Sequence, residues 1–230
     1  MFSSNSEIRY TLIVAAAGIG KRMGLSYPKQ FFEYNGKPLF IHVLEKGQKC
    51  TLVTDIIVVT GQELIKEVKY LCNKFGISKA VHIIEGGQER QDSIYNALKL
   101  CDKNSFIAVQ DGVRPFFKES YLEKAFEELK NNTGIDGAVI GVPVKDTIKI
   151  VDENGMIVST PKRAALTAAQ TPQVFRGEVL INAYEKAQEE GFLGTDDSSL
   201  VERYKGRVKI LSGDYSNIKI TTIEDISFLK

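Results

Sequence analysis

The sequence predicts an α/β fold, a mostly parallel Rossmann-like sheet with helices on both faces and a protruding β-hairpin arm. The first observation is that short apolar runs alternate along the chain with segments whose apolar residues recur every three or four positions. Such runs are typical of buried strands, and such spacing is typical of helices that bury one face. The second is a hairpin pattern that breaks this alternation near residue 147. We expect one domain over residues 1–230, with an arm at about residues 145–170.

Five apolar runs predict the strands of the sheet, and three segments between or after them predict helices. The strands are expected over residues 10–15, 55–60, 80–85, 106–110 and 137–142, and the helices over residues 64–75, 121–129 and 179–187. Strands that alternate with helices in this way form parallel sheets, which bind ligands beyond the carboxyl ends of their strands. The residues that follow each strand are therefore the place to look for chemistry.

The predicted arm consists of two alternating strands, residues 147–151 and 156–159, joined by a turn at residues 152–155. A two-stranded hairpin alone is only marginally stable in water. Because no helix of its own covers the apolar residues of the arm, we expect the arm to pack against a second copy of the chain. The predicted assembly is therefore a homodimer formed through the arm.

Composition and charge exclude several classes of protein. The chain has 230 residues and a net charge of +1, which excludes the overall basic charge of a non-specific nucleic-acid binder. No apolar run approaches the roughly 20 residues of a membrane-spanning helix. The cysteines (Cys50, Cys72, Cys101) and the histidines (His42, His82) lack the spacing of a disulfide framework, a zinc site or a Ser-His-Asp triad. We expect a cytoplasmic protein that binds neither nucleic acid nor membrane.

The loop after the first strand combines small residues with positive charge. Residues 15–24 read AAAGIGKRMG and include Lys21 and Arg22, and Lys29 follows. Small residues let backbone N–H groups approach an anion, and the cations suit a ligand with several negative charges, such as a triphosphate. The loop has neither the Walker A pattern nor the third glycine of the dinucleotide fingerprint. An ordinary solvated loop is the alternative interpretation.

A second candidate site follows the fourth strand. Asp111 lies at the carboxyl end of that strand, where a carboxylate is a natural ligand for a hard divalent cation such as Mg²⁺. Arg114 is placed either to contact the same ligand or to pair with Asp111. The alternative role for Asp111 is to cap the helix that follows.

The order of several short motifs resembles the cytidylyltransferases of the isoprenoid precursor pathway. The resemblance covers about residues 10 to 228 and rests on the ordered set rather than on any one motif. The matching segments are residues 15–23, 28–30, 86–93, 111–115, 143–147, 170–173, 195–197 and 217–219. One departure is Gln110, where many members of the family have a histidine.

This resemblance implies a reaction and a cofactor. Members of the family transfer CMP from CTP to 2-C-methyl-D-erythritol 4-phosphate with the help of Mg²⁺ and release pyrophosphate. Relatives that use ribitol 5-phosphate share most of the motifs and are the alternative, but residues 144–149 and 160–166 resemble the methylerythritol enzymes more. The acceptor phosphate has a second pKa of about 6, so it is mostly a dianion at neutral pH and needs no general base.

The resemblance also implies roles for individual residues. The charge that develops at the α-phosphate of CTP is expected to be stabilised by Arg22, Lys29 and Lys219. CTP is expected to contact Ala16, Ala17, Gly18, Gly20, Gly87, Gln88, Ser93 and Asp111, and Asp111 is also the expected Mg²⁺ ligand. The acceptor is expected to contact Arg114, Thr147, Arg163, Thr171 and Thr195. Thr147 and Arg163 would reach it from the arm of the other chain, and Thr171 and Thr195 are expected in loops before helices.

Two other classes of function compete with this interpretation. A nucleotide sensor without turnover would keep the fold, but the joint presence of Arg22, Lys29, Asp111 and Lys219 favours an enzyme. An NAD(P)-dependent oxidoreductase would need a third glycine in the first loop and an acidic residue directly after the second strand. The chain has the sequence TGQE at residues 60–63 instead.

Overall fold

The structure, a computed structural model, describes residues 9–18 and 27–229. The strands are β1 (Tyr10–Ala15), β2 (Glu33–Tyr34), β3 (Lys37–Pro38), β4 (Asp55–Thr60), β5 (Ala80–Glu85), β6 (Phe106–Asp111), β7 (Gly137–Pro143), β8 (Ile150–Val151), β9 (Ile157–Ser159), β10 (Thr167–Arg176) and β11 (Val208–Ser212). The helices are α1 (Leu39–Lys49), α2 (Ile65–Lys74), α3 (Arg90–Leu98), α4 (Glu119–Asn131), α5 (Gly177–Glu189) and α6 (Asp197–Arg203).

A seven-stranded sheet forms the centre of the fold, with the spatial order β11-β7-β10-β6-β1-β4-β5. The pairs of β1 with β4, β1 with β6, β4 with β5 and β7 with β11 are parallel, and only β10 runs antiparallel to its neighbours. The predicted α/β class with a mostly parallel sheet is therefore confirmed. Parallel strands put their carboxyl ends at one edge, which here is the edge that carries the candidate site.

Helices cover both faces of the sheet because successive strand residues point to opposite sides. Leu12 and Val14 of β1 pack into a core with α1, α2 and α4, whereas Ile13 packs into a second core with α3, α5 and α6. All three side chains are fully buried. Complete burial of an aliphatic side chain contributes about 1.5–3 kcal/mol, so these two cores hold the strand ends in place.

The predicted strands begin where the structure has them, and two of them end one residue later. β6 continues to Asp111 and β7 continues to Pro143. The predicted helices correspond to α2, α4 and α5, which differ from the predicted ranges by up to two residues at each end. The sequence prediction did not include β10 or β11, the strands that flank β7 in the sheet.

Thr171 lies inside β10, so the prediction that it falls in a loop before a helix is wrong. The strand contains Pro172, which cannot donate a hydrogen bond to a neighbouring strand, and such a residue argues against a central strand. The structure accommodates it with a register shift between Ala169 and Gln173 in the pairing of β10 with β7. The β10 segment around Thr171 is therefore held in the sheet by the residues on either side of the irregularity.

The arm is present as the separate hairpin of β8 and β9. Both strands are shorter than predicted, since β8 begins at Ile150 and not at residue 147. At the turn, Asp152 Oδ1 accepts hydrogen bonds from the backbone N–H groups of Asn154 and Met156, both at 2.9 Å, so β9 begins only at Ile157. The apolar side chains exposed on the arm are those of Ile148, Ile150, Val151, Met156, Ile157 and Val158.

Among residues 9–18 and 27–229, no helix combines the length and the apolar character that crossing a membrane requires.

Candidate active site

A cleft of about 460 Å³ opens at the carboxyl ends of β1, β4, β5 and β6. Residues at and just after these strand ends line it, together with two lysines from distant segments. The lining includes residues 15–18, 60–63 and 85–90 with Lys29, Asp111 and Lys219. The position is the one in which open parallel sheets bind their ligands.

Two glycines allow the backbone segments around the cleft to approach one another closely. A Cβ atom on Gly86 would lie 2.6 Å from the Cβ of Ala17, and one on Gly112 would lie 2.9 Å from the carbonyl oxygen of Ala15. Real Cβ contacts are essentially never shorter than 3.0 Å. Larger residues at these two positions would therefore push the loop after β1 away from its neighbours.

The loop between β5 and α3 is held by hydrogen bonds of Ser93. The backbone N–H of Gly87 donates to Ser93 Oγ at 3.0 Å, and the Ser93 hydroxyl donates to the carbonyl oxygen of Glu89 at 3.0 Å. Glu89 and Asp92 also cap the start of α3 reciprocally. The residues predicted to contact the pyrimidine all line the cleft, namely Ala16, Ala17, Gly87, Gln88 and Ser93.

Asp111 is the centre of a cluster of positive charge. Its Oδ2 lies 3.0 Å from Lys219 Nζ and 3.2 Å from Arg114 Nε, and its Oδ1 lies 3.7 Å from Arg90 Nε. Its backbone N–H donates to Thr171 Oγ1 at 3.1 Å, which ties β6 to β10 beside the carboxylate. The sequence predictions for Asp111, Arg114, Thr171 and Lys219 thus converge on one place.

These charges keep the Asp111 carboxylate ionised. Burial alone would raise the pKa of Asp111, but the positive charges of Lys219, Arg90 and Arg114 outweigh burial and lower the pKa to about 2. The alternative role of Asp111 as a helix cap is not observed, since the residue at the N-cap of α4 is Lys118. Arg114 does pair with Asp111, as one of its two predicted roles requires.

Arg90 is held by a buried acidic residue on the far side from Asp111. Its Nη1 and Nη2 donate to Asp197 Oδ1 and Oδ2 at 3.0 and 2.7 Å, a bidentate pair. The Tyr184 hydroxyl donates to Asp197 Oδ1 at 2.5 Å, and burial raises the pKa of Tyr184, so the phenol stays neutral. Asp197 itself is fully buried. The guanidinium of Arg90 therefore connects Asp197, at the N-terminus of α6, to Asp111.

Lys29 reaches the cleft from a short 3-10 helix, Lys29–Phe31. The neighbouring Gln30 is buried, and its side-chain amide donates to the carbonyl oxygen of Ala16 at 2.5 Å. This contact fastens the lysine segment to the loop after β1. Gly18 also lines the cleft, whereas Gly20 and Arg22 lie outside the described residues.

The model of the family described as 2-C-methyl-D-erythritol 4-phosphate cytidylyltransferase (IspD) matches residues 10–229. The chain belongs to this family. The resemblance that the sequence motifs indicated is thereby confirmed, and the chain is a cytidylyltransferase, an enzyme of the nucleotidyltransferase class.

Curated relatives and solved structures agree with the family match. A 2-C-methyl-D-erythritol 4-phosphate cytidylyltransferase of Fusobacterium nucleatum subsp. nucleatum is 50% identical over 233 residues, covering 100% of both chains. One of Geotalea uraniireducens is 43% identical over 97% of both chains. The crystal structure of 4-diphosphocytidyl-2C-methyl-D-erythritol synthase from Anaerococcus prevotii superposes with a TM-score of 0.85 at 32% identity, covering 97% of this chain and 95% of that one. All three of these proteins carry names of the methylerythritol enzyme.

The residues predicted on the cytidylyltransferase arm lie away from the cleft of their own chain. Thr147 and Arg163 are both exposed and stand outside the lining of the cleft as far as the described residues show. Arg163 Nη1 donates to the carbonyl oxygen of Lys145 at 2.9 Å, so the guanidinium is folded against the root of the arm. One chain by itself does not bring these two residues together with Asp111.

Thr195 lies in the loop before α6, as predicted, and is exposed. Its backbone N–H donates to Ser199 Oγ at 3.1 Å, within the cap that starts the helix. It lines a second cavity of about 200 Å³ that shares Arg90 with the larger cleft. Thr195 therefore stands beside the cleft, on the far side of Arg90.

Sequence reasoning assigned no role to Arg90, Asp197 or Asn217, although each lies within a motif that carried the resemblance. Arg90 and Asp197 are 107 residues apart, and no spacing rule connects two residues at such a distance. Gln110, the departure from the family pattern, is fully buried and donates from Nε2 to the carbonyl oxygen of Asp111 at 3.1 Å. The presence of these residues in the matching motifs was the one indication that they matter. A motif match does not show whether a residue contacts a ligand or supports the structure.

Proposed function

We propose that this cytidylyltransferase transfers the CMP group of CTP to 2-C-methyl-D-erythritol 4-phosphate. The products are 4-diphosphocytidyl-2-C-methyl-D-erythritol and pyrophosphate. The observation that carries the proposal is the family match over residues 10–229, with relatives that cover the whole chain. The cleft supports it, because its loops and lysines suit a ligand with several phosphate groups.

The reaction brings two polyanions together, so stabilising negative charge is the main task of the site. The acceptor phosphate attacks the α-phosphorus, and pyrophosphate leaves. We assign the stabilisation of charge at the α-phosphate to Lys219 and Lys29, which line the cleft, and to Arg22. Preorganised donors aimed at developing charge are commonly the largest single contribution to catalysis.

The attacking group needs no protein base, and the site is consistent with this. A phosphomonoester is mostly a dianion at neutral pH because its second pKa is about 6. Neither of the two histidines of the chain lines the cleft: His42 Nε2 lies 2.7 Å from the carbonyl oxygen of Tyr34, and His82 is exposed on β5. The chemistry of the site is therefore positioning and charge stabilisation.

We assign the cytosine ring to the part of the cleft formed by Ala16, Ala17, Gly87, Gln88 and Ser93. The close approach of Ala17 to Gly86 leaves backbone groups rather than bulky side chains beside the base. A base that leaves a buried donor or acceptor unpaired loses about 1–3 kcal/mol, so such a pocket discriminates between pyrimidines.

Asp111 fits the requirements of a Mg²⁺ ligand. Its carboxylate is ionised at neutral pH, and its Oδ1 makes only a longer ion pair, 3.7 Å to Arg90 Nε. The described residues contain no cluster of three or more side chains that could hold a metal by themselves. A single carboxylate suits Mg²⁺, which completes its shell with phosphate and water oxygens. When bound there, Mg²⁺ would neutralise part of the triphosphate charge.

We further propose that two chains form a dimer through their arms, and that each arm serves the site of the other chain. The support is the apolar surface of the arm, since Met156, Ile157 and Val158 are each more than 60% exposed. Exposed apolar hairpins are aggregation hazards unless another surface covers them. In such a dimer Thr147 and Arg163 would contact the acceptor phosphate bound beside Asp111 of the partner chain.

A cytoplasmic location is part of the same proposal. All three cysteines are free thiols, Cys50 and Cys72 buried and Cys101 partly buried. Unpaired cysteines are usual in a reducing compartment.

The reaction is tested by the release of pyrophosphate from CTP and Mg²⁺ over a panel of acceptors. We expect turnover with 2-C-methyl-D-erythritol 4-phosphate, little with ribitol 5-phosphate, and none with the unphosphorylated polyol. UTP in place of CTP is the matched control for the base. Faster turnover with ribitol 5-phosphate than with the methylerythritol phosphate would overturn the assigned acceptor.

A further inference from the structure

We infer that Asn217 is a positioning residue that holds Lys219 and Arg114 against the Asp111 carboxylate. This inference rests on the proposed function, because it assigns Lys219 a role in stabilising charge. Asn217 is fully buried and is not among the residues that line the cleft, so it would act through Lys219, which lines the cleft, and through Arg114, which pairs with Asp111.

The side chain of Asn217 anchors the C-terminal segment to β10. It is fully buried, and its Nδ2 donates to Gln170 Oε1 at 3.1 Å and to the carbonyl oxygen of Thr171 at 3.0 Å. Both amide hydrogens are thereby used. Thr171 also receives the backbone N–H of Asp111 on its hydroxyl, so one residue of β10 fixes the anchor and the carboxylate together.

The backbone of Asn217 supports one of the cations directly. Its carbonyl oxygen accepts a hydrogen bond from Arg114 Nη1 at 2.7 Å, while Arg114 Nε donates to Asp111 Oδ2 at 3.2 Å. The guanidinium is thus held at two points, and its side chain is only 11% exposed. If the carbonyl of Asn217 moved, Arg114 would lose one of these two points.

The second cation follows two residues later in the chain. Lys219 Nζ lies 3.0 Å from Asp111 Oδ2, and its side chain is 38% exposed. A lysine with this much exposure has many rotamers, so the position of its backbone decides where the ammonium group can reach. That backbone is fixed before Lys219 by Asn217 and after it by Ile220, whose N–H donates to the carbonyl oxygen of Val113 at 2.9 Å.

Substitution of Asn217 by alanine removes the side-chain amide that holds the C-terminal segment to β10. In Asn217→Ala the acceptors Gln170 Oε1 and Thr171 O lose their donor in a buried place, and the segment loses its attachment to β10. Lys219 and Arg114 would then be displaced relative to Asp111. A displacement of about 1 Å in a catalytic group can lower the rate on the order of a hundredfold.

A purely structural role for Asn217 predicts a different combination of the effects of Asn217→Ala and Lys219→Ala. Loss of stability would reduce the amount of folded enzyme by the same factor whether or not Lys219 is present. A positioning role instead requires that most of the effect on kcat disappears once Lys219 is gone, because we assign the stabilisation of charge to Lys219 and only contact with the acceptor to Arg114. A double-mutant cycle separates the two, because it measures how the effects of two substitutions combine.

The experiment measures kcat and the KM for CTP in Asn217→Ala, Lys219→Ala and the double variant. Each kcat is calculated per mole of folded chain, so that a loss of folded protein does not count as a loss of activity. We expect Asn217→Ala to lower kcat about tenfold to a hundredfold with little change in KM. In the Lys219→Ala background the same substitution should lower kcat by less than about threefold. Effects that multiply fully in the double variant, or an unchanged kcat in Asn217→Ala, would overturn the inference.

Two further variants keep the test decisive. Ile220→Val is the matched control, since it trims a fully buried side chain of the same segment without touching the amide, and it should leave kcat unchanged. If Asn217→Ala does not fold, Gln170→Met replaces it, because it removes one acceptor of the amide and should give the same non-multiplying pattern at smaller size. Normal kcat in Lys219→Ala would instead contradict the proposed role of Lys219, which is a separate failure.

Discussion

Around Asp111 the charged groups pair within one chain, whereas on the arm the apolar groups face solvent. The Asp111 side chain is 8% exposed and lies against three cations of its own chain. On the arm, Met156 and Val158 are 68% and 66% exposed. Unpaired charge and uncovered apolar surface are both costly, so the Asp111 cluster balances its charges within one chain, whereas the apolar surface of the arm is the feature for which we propose a partner chain.

The difference suggests how the two substrates are divided. We propose that the cleft, which is built from the strand ends of one chain, provides the contacts for the nucleotide. Thr147 and Arg163, assigned to the acceptor, stand on exposed backbone outside that cleft. We therefore predict that substitutions in the cleft affect the chemical step and that substitutions on the arm affect acceptor binding.

The largest effect is expected for Lys219→Ala. Removal of one charged donor aimed at developing charge typically costs about 2.7–4 kcal/mol, or a factor of about 10² to 10³ in kcat. Steady-state kinetics with saturating CTP and acceptor measure it. Lys209→Ala is the matched control, because that lysine forms an exposed ion pair with Glu128 outside the cleft. Comparable rates for the two variants would remove the role assigned to Lys219.

A smaller effect is expected for Asp111→Asn, which keeps the shape of the side chain and removes its charge. The apparent affinity for Mg²⁺ should fall at least about tenfold, since the proposed ligand is lost. Titration of activity with Mg²⁺ is the measurement. Asp55→Asn serves as the control, because Asp55 starts β4 at the opposite edge of the sheet and pairs with Arg9. If both variants respond to Mg²⁺ like the parent, Asp111 is not the ligand.

On the arm, Arg163→Ala should raise the KM for the acceptor about tenfold, the size expected when a charged hydrogen bond to a phosphate is lost. The KM for CTP and kcat should stay close to those of the parent. Lys162→Ala removes the neighbouring exposed cation and should have little effect. A parallel rise in the KM for CTP would show that the arm is not specific to the acceptor.

The smallest effect on activity is expected from the titration of Asp111 itself. Its folded pKa of about 2 lies below the usual value, so it contributes stability above about pH 4 and loses that contribution as the pH falls towards 2. The acid limb of kcat/KM should instead lie near pH 6, where the acceptor phosphate takes up a proton. Unfolding measurements from pH 5 to 2 and a pH–rate profile test the two statements. If the acid limb of the kcat/KM profile shifted to another pH in Asp111→Asn, its assignment to the acceptor phosphate would be contradicted.

The sequence predicted the fold well where apolar periodicity was regular and poorly where it was interrupted. β1, β4 and β5 match the predicted ranges, because each contains a short cluster of apolar residues, with His82 the one polar residue inside the cluster of β5. β10 was missed because its middle is polar and contains Pro172, and those residues are held by contacts with other segments. β11 was missed because it is a short edge strand with exposed side chains.

The site was predictable to the extent that strand ends determine it. Asp111 and the loop after β1 follow directly from the rule that ligands bind at the carboxyl ends of parallel strands. Contacts made by distant segments, such as Asn217 with Gln170 or Arg90 with Asp197, depend on how the chain returns to the sheet. A local sequence pattern does not contain that information, so these contacts are visible only in the three-dimensional arrangement.

The division of one site between two chains is the central claim, and a mixing experiment tests it directly. Lys219→Ala and Arg163→Ala chains are each impaired alone, and they are refolded together so that heterodimers form. In a heterodimer one site takes Lys219 from one intact copy and Arg163 from the other, while the second site has neither. The matched control mixes each variant chain with itself.

We predict that kcat/KM, measured at low acceptor concentration, recovers to about a quarter of the parent value in a statistical mixture, because half of the dimers then carry one intact site of two. Heterodimers whose composition has been verified by mass spectrometry should account for all of the recovered activity. No recovery in verified heterodimers would mean that Lys219 and Arg163 serve a site within one chain, and the shared site would be contradicted.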